Sequence, residues 1–261
     1  NTDYVAGTLP YEILNPSGDW TNWLPLGEWQ AKPGLETMAC VSFSALNVIE
    51  TLYYFKTGVQ RNFSDRFTAG MSGTTPQGNW LWKVGDSIRK DGLVDEADWP
   101  WSENYASWGQ YYATPPIEII NKAREFLKEW KVNYEFIDFT RESLLHHIKQ
   151  SPIQVVFPNH AVMNFFTSDS VYKYFDSYAP YIKERTSDFT AALKYVLSET
   201  TMTKEQINKL YNVVFGRDAD EGAIGYVGQE LDFVLNELMT SKEVVKYNRV
   251  KQVIKNEIEN W

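Results

Sequence analysis

The sequence predicts an α+β fold with two lobes, a helical front half followed by an antiparallel β half, and a C-terminal all-helical appendage. Three observations carry that prediction. Phe43, Leu46, Ile49 and Tyr53 recur at spacings of three and four, which lays one apolar stripe along a helix. From residue 132 the texture changes to short apolar or alternating runs, and two of them, 160–166 and 171–175, are joined by Thr-Ser-Asp-Ser as a hairpin. Beyond Pro180 helical patterning returns and continues to the end of the chain.

In order, residues 1–35 are rich in Pro, Gly and Trp without sustained periodicity and read as an extended segment draped over the domain. A long helix should begin near residues 37–40, just after the turn signal Lys-Pro-Gly34, and end at Thr57-Gly58. Residues 59–79 carry Gly70, Gly73, Pro76 and Gly78 and read as loop. Trp80, Leu81, Val84 and Ile88 mark a second helix stopped by Gly92, and Asp98-Trp-Pro-Trp101 is a rigid aromatic turn. Pro116 opens a third helix with Ile117, Ile120, Phe126 and Leu127 on one face. Strands are expected at 132–139 and 153–157, with a short helix over 140–149 between them. A domain boundary is expected after residue 185, giving a catalytic domain over 1–185 and a helical module over 186–261.

Composition narrows the function. The chain has 261 residues, 43% of them hydrophobic, enough for a substantial core. Its net charge of -9 argues against nucleic acid or an anionic membrane as the main partner. No apolar run approaches the length of a membrane span. One cysteine excludes an internal disulfide. The chain begins at Asn1 and shows no signal-peptide pattern, so it reads as a processed or excised piece, secreted or virion-associated rather than cytoplasmic.

That cysteine, Cys40, falls in the first turn of the long helix. Unsatisfied backbone N–H groups and the helix dipole favour a thiolate there, the nucleophilic form. Of the three histidines, His146 and His147 read as a surface pair, whereas His160 opens a predicted strand. Asp176 ends the next strand of the hairpin, which returns the chain beside its start. A thiolate needs a base, and the base needs an orienting partner; Cys40, His160 and Asp176 supply the three types. Spacing alone leaves open that Cys40 is a small core residue, His160 an ordinary strand-end histidine and Asp176 a turn residue.

Five segments in register resemble papain-like cysteine peptidases, over about residues 20–180. Cys40-Val-Ser-Phe43-Ser44 is similar to the family's Cys-x-x-Phe-Ser. Gly78-Asn79 stands where the family has a cleft-lining Gly-Gly, and Gly92 through Trp101 resembles its Gly-(Ile/Leu)…Tyr-Pro-Tyr segment. Asn159-His160-Ala161-Val162 resembles its (Asp/Asn)-His-Ala-Val, and Asp176-Ser177-Tyr178 stands at its Asn-Ser-Trp. The resemblance implies a two-lobe fold and peptide hydrolysis through an acyl-enzyme, with Cys40 the nucleophile, His160 the base and Asp176 its orienter. It implies a peptide or protein substrate and no cofactor. Gly78, Asn79, Asn159 and Tyr178 become the expected substrate-contacting residues.

The departures matter as well. The family's oxyanion glutamine lies a few residues before its cysteine, where this chain has Pro33-Gly34; the nearest is Gln30, which takes that expected role. Asp replaces Asn at 176, and Tyr178 replaces a shielding tryptophan. The later Gly-rich strand segment is expected to be absent, replaced by helices. Leu210 through Tyr226 resembles a small helical module of bacterial and phage surface proteins, expected to dock on a protein partner or surface. Asp218 and Asp220 miss the EF-hand spacing, so no metal site is expected. Three other classes stay open: a peptidoglycan-cleaving cysteine amidase or endopeptidase, a catalytically silent structural protein of a phage particle, and a transferase using the same triad.

Overall fold

The computed structural model describes residues 12–102 and 104–200, together with Ile207, Asn208, Tyr211 and Val227. The helical half is built on α1, Cys40–Thr57, which stops at Gly58 in the left-handed conformation. Residues 41–52 of this helix are all buried, so the expected single stripe understates it. Ser42, Ser44, Asn47, Glu50 and Thr51 are enclosed with the apolar residues, as befits a helix walled on every side. Glu50 is accommodated by accepting the Phe63 N–H at 2.7 Å, while burial pushes its carboxyl well above the usual range.

Around α1 lie α2 (Asp65–Met71), α3 (Leu81–Asp91), the one-turn α4 (Trp108–Tyr111) and α5 (Ile117–Glu129). Of these, α2 lies inside the stretch expected to be loop. Its Ser64 side chain caps the helix by accepting the Phe67 N–H, and its polar residues point inward. The buried Arg66 donates to the carbonyls of Tyr111 and Gln110 at 2.7 Å each and lies over the Trp99 ring, 4.1 Å from its centroid. The aromatic turn is therefore a clamp on α2. Gly92 ends α3 at a φ of 80°, with the chain so close to Ala123 that a Cβ would stand 2.0 Å from its carbonyl oxygen.

The other half is one six-stranded sheet in the order β3-β8-β4-β5-β6-β7. These strands are β3 (Trp130–Ile137), β4 (Ile153–Phe157), β5 (His160–Thr167), β6 (Tyr172–Phe175), β7 (Ile182–Arg185) and β8 (Ala191–Glu199); α6 (Arg141–His147) follows β3. A two-stranded hairpin, β1 (Ala31–Lys32) and β2 (Leu35–Glu36), precedes α1. The sheet packs against α1 chiefly through β5. The leading segment is part of the core rather than a drape: Trp20 is fully buried and donates its indole N–H to the Ile148 carbonyl at 2.7 Å.

The chain does not turn helical after Pro180, since β7 pairs with β6 and β8 with β4, both antiparallel. Inserting β8 between β3 and β4 buries Lys194, which is held by Glu135 at 2.5 Å and Gln150 at 2.9 Å. A strand thus stands where the resemblance was expected to break off into helices. The chain divides into two compact units, Asn1–Leu197 and Ser198–Trp261, so the first extends past the expected break at 185. The module motif at 210–226, with Asp218 and Asp220, lies outside the described residues apart from Tyr211. Among the described residues no helix is long and apolar enough to cross a membrane.

Candidate active site

Cys40 is the first residue of α1 and is half-buried. The chain reaches it through Met38, whose φ of 58° is a left-handed turn that a non-glycine residue seldom takes. Three hydrogen bonds hold the approach: Met38 N–H to Glu36 Oε1 at 3.0 Å, Tyr112 Oη to the Thr37 carbonyl at 2.7 Å, and Thr37 Oγ1 to the Gln30 carbonyl at 2.7 Å. Behind the thiol, Ser44 Oγ donates to the Cys40 carbonyl at 2.7 Å. The buried amide of Gln154, on β4, donates to Ser44 Oγ and to the Val41 carbonyl at 2.8 Å each. The first turn of α1 is thereby tied to the sheet.

His160 is delivered from that sheet. Pro158 and Asn159 form the two-residue turn between β4 and β5, and Asn159 takes the left-handed conformation at a φ of 66°. Asn159 is exposed, and its role in this geometry is to aim the next residue. The imidazole sits between the rings of Phe157 and Tyr178, at centroid distances of 5.4 and 5.5 Å. Its Nε2 is 2.8 Å from Asp176 Oδ1, and the Cys40 thiol lies near enough to add to the attraction on its proton. Burial favours the neutral ring, but hydrogen bonds and charge attraction from Asp176 and Cys40 outweigh it and raise its pKa to about 9.

Asp176 is buried, and its other oxygen accepts from Lys183 Nζ at 2.8 Å. Burial would raise its carboxyl, yet His160 and Lys183 hold it below the ordinary value. The structure thus brings Cys40, His160 and Asp176 together and adds Lys183, which sequence reasoning missed. His147, by contrast, is depressed to about 4 by burial and by nearby Lys194, and its Nδ1 lies 3.1 Å from Gln150 Nε2.

Gln30 lies beside this group, but its amide is engaged. Nε2 is 2.8 Å from Glu36 Oε1 and 2.7 Å from Tyr178 Oη, while Oε1 accepts from Ser177 Oγ at 2.7 Å. Tyr178 Oη donates in turn to Glu36 Oε2 at 2.5 Å. The β1–β2 hairpin, inserted between Gln30 and Cys40, explains how a glutamine ten positions upstream reaches the site. Glu36 closes a hydrogen-bonded ring that no local pattern signals.

The residues expected to line the cleft are internally bonded. Gly78 has a φ of 89°; its N–H donates to the Thr75 carbonyl at 2.8 Å, and its carbonyl accepts from Thr75 N and Oγ1 at 3.1 Å each. Its position is still close to the thiol's approach, because a Cβ there would stand 3.9 Å from the Met38 carbonyl. The Asn79 side chain staples its own loop, donating to Ser72 Oγ at 2.9 Å and Thr74 Oγ1 at 3.1 Å. A separate cleft of about 600 Å³ is lined by Trp29, Trp101, Tyr181, Glu28 and Glu96 among others. Among the described residues no three His, Cys, Asp or Glu side chains are grouped to hold a metal ion.

No protein-family model matches the chain, and no curated protein matches it in sequence. Solved structures do match. The bromelain protease from Ananas comosus in complex with the E64 inhibitor is 16% identical, with a TM-score of 0.54 over 69% of this chain and 98% of that one. Digestive procathepsin L 3 of Tenebrio molitor larval midgut is 15% identical, with a TM-score of 0.52 over 75% and 76%. The proform of the Amb a 11 cysteine protease, a ragweed pollen allergen, is 14% identical, with a TM-score of 0.53 over 75% and 76%. At such identities the likeness speaks to the fold alone, and the fold it shows is the papain-like one, a helical lobe headed by Cys40 and an antiparallel sheet carrying His160.

Proposed function

We propose that the chain is a cysteine peptidase that cleaves peptide bonds through Cys40, His160 and Asp176. The observation that carries the reading is the His160 ring, held by Asp176 at 2.8 Å and with the Cys40 thiol among the groups that favour its proton. In this reading the Cys40 thiolate attacks the scissile carbonyl, forming a C–S bond and a tetrahedral oxyanion. Collapse of that intermediate breaks the C–N bond while His160 gives its proton to the departing amine. Water then adds to the thioester with His160 as base, and expulsion of the thiolate releases the carboxylic acid. Asp176 holds the imidazolium in place throughout.

The oxyanion needs donors. The Cys40 backbone N–H belongs to a helix start, where N–H groups have no partner within the helix. Gln30 is the second donor in this reading, and it would serve by turning one amide hydrogen from Glu36 to the oxyanion. A second reading, a catalytically silent relative, draws support from that same engaged amide and from the engaged backbone of Gly78.

The test is hydrolysis of a fluorogenic peptide library, with Cys40→Ala as the control and E64, bound in the bromelain structure, as the blocking agent. The peptidase reading expects turnover that is abolished by both. Absence of turnover, with Cys40 alkylated no faster than in His160→Ala, would overturn it in favour of the silent relative.

A further inference from the structure

Asp176 is only 3% exposed and lies between two cations, with Oδ1 on His160 and Oδ2 on Lys183, 2.8 Å from each. Lys183 is supplied by β7, the edge strand paired with β6 through Lys183 and Tyr174. On that strand Glu184 turns to Lys173 at 3.4 Å, whereas Lys183 and Arg185 occupy the covered face, Arg185 lying 4.6 Å from the centroid of the Phe157 ring. The ionisable groups facing His160 and Asp176 are therefore Cys40 from α1, Tyr178 from the loop after β6, and Lys183 from β7.

We propose that Lys183 is a positioning residue that acts through Asp176 to set how firmly His160 holds its proton. The inference rests on the peptidase reading for its catalytic meaning, although its physical content does not depend on turnover. Thiolate, imidazolium, carboxylate and ammonium alternate in sign along the row Cys40, His160, Asp176, Lys183. Without the ammonium the row carries one excess negative charge. That charge pins the proton on His160 and opposes the neighbouring thiolate. An imidazolium bound too firmly is a poor acid for the departing amine. Lys183 thus makes a buried aspartate workable at a position where a neutral amide would need no cation.

Lys183→Met, which keeps the stem and removes the charge, should move the His160 titration midpoint upward by about one unit, read from its imidazole NMR resonances. Lys183→Arg should restore the wild-type midpoint. Peptide kcat at neutral pH should fall several-fold in the methionine variant, with KM little changed. A carboxylate left buried without its cation threatens folding, so a second comparison removes that charge first. In Asp176→Asn, Lys183 faces a neutral amide and should depress the His160 midpoint; Asp176→Asn with Lys183→Met should raise it again. Equal midpoints within both comparisons would overturn the inference. Failure of the peptidase reading would show differently, as absent turnover in the wild type with the His160 titration still readable.

Discussion

The Gln30 side-chain amide and the Glu36 carboxylate lie 2.8 Å apart across the β1–β2 hairpin, with Tyr178 Oη bonded to both. A planar amide has two hydrogens, and here one faces Glu36 and the other Tyr178. Any service to an oxyanion has to be taken from one of these acceptors. Glu36→Gln, which keeps the shape but lowers the acceptor strength, should therefore raise kcat, whereas Gln30→Ala should lower it by about 10²-fold. Steady-state kinetics on one peptide decide this; an unchanged kcat in Gln30→Ala would remove Gln30 from the mechanism.

The raised pKa of His160 makes a signed prediction for stability. The folded state holds the proton up to about pH 9, against an ordinary value of 6.5. The stabilisation this provides is fully present below pH 6.5 and is lost as pH rises through about 9. Denaturant unfolding of wild type and His160→Ala across that window should show the difference between them shrinking with rising pH. Peptide turnover should decline over the same upper range, because the departing amine loses its acid. A stability difference independent of pH would mean that the imidazole is not charged in the fold.

Removal of the Gln154 amide should be costly in a specific way. Gln154→Leu leaves the Val41 carbonyl and Ser44 hydroxyl without their buried donor, at about 1–3 kcal/mol. It should lower the melting temperature and, at temperatures where the protein stays folded, lower kcat more than it raises KM. Rates that scale only with the folded fraction would confine Gln154 to the core.

Gly78 provides the fourth test. Its left-handed backbone penalises any β-branched side chain by about 1–2 kcal/mol, whatever space surrounds it. Because its N–H and carbonyl are already bonded to Thr75, a bound peptide cannot pair there without exchanging those bonds. Gly78→Val should therefore depress peptide turnover and Cys40 alkylation in parallel, both following the melting curve. Turnover lost while alkylation persists would instead support Gly78 as a substrate contact.

Much of the fold was legible where local pattern and tertiary demand agree. The compact run at 153–157 is β4, Gly58 and Gly92 stop the helices they were expected to stop, and α6 falls within the short helix expected over 140–149. Legibility failed where polar residues are buried. Asp65, Arg66 and Thr68 gave no amphipathic stripe although all three are buried, and the partners of Arg66 lie far along the chain, in the 99–111 segment. The run Ala191–Glu199 is rich in helix formers, and only pairing with β4 and a partner for Lys194 make it a strand. The site divides in the same way. Cys40 and His160 are visible because the chain has one cysteine and three histidines, and Asp176 because the hairpin returns it beside His160, whereas Glu36, Gln154 and Lys183 are common residue types whose meaning comes from what the fold sets beside them.

The enclosure of α1 has a consequence for how the site should fail on heating. Residues 41–52 are all buried, so their amide hydrogens should exchange slowly, and Cys40 rides on the end of that element. His160 stands at a two-residue turn and Asp176 just past a strand end, both at the margin of the backbone pairing. Thermal breathing should therefore disperse the imidazole and carboxylate while the cysteine still holds its place, so deuterium uptake at 158–160 and 176–183 should precede that of residues 41–52. Warmed short of global unfolding, the molecule would keep an addressable thiol that has lost its companions.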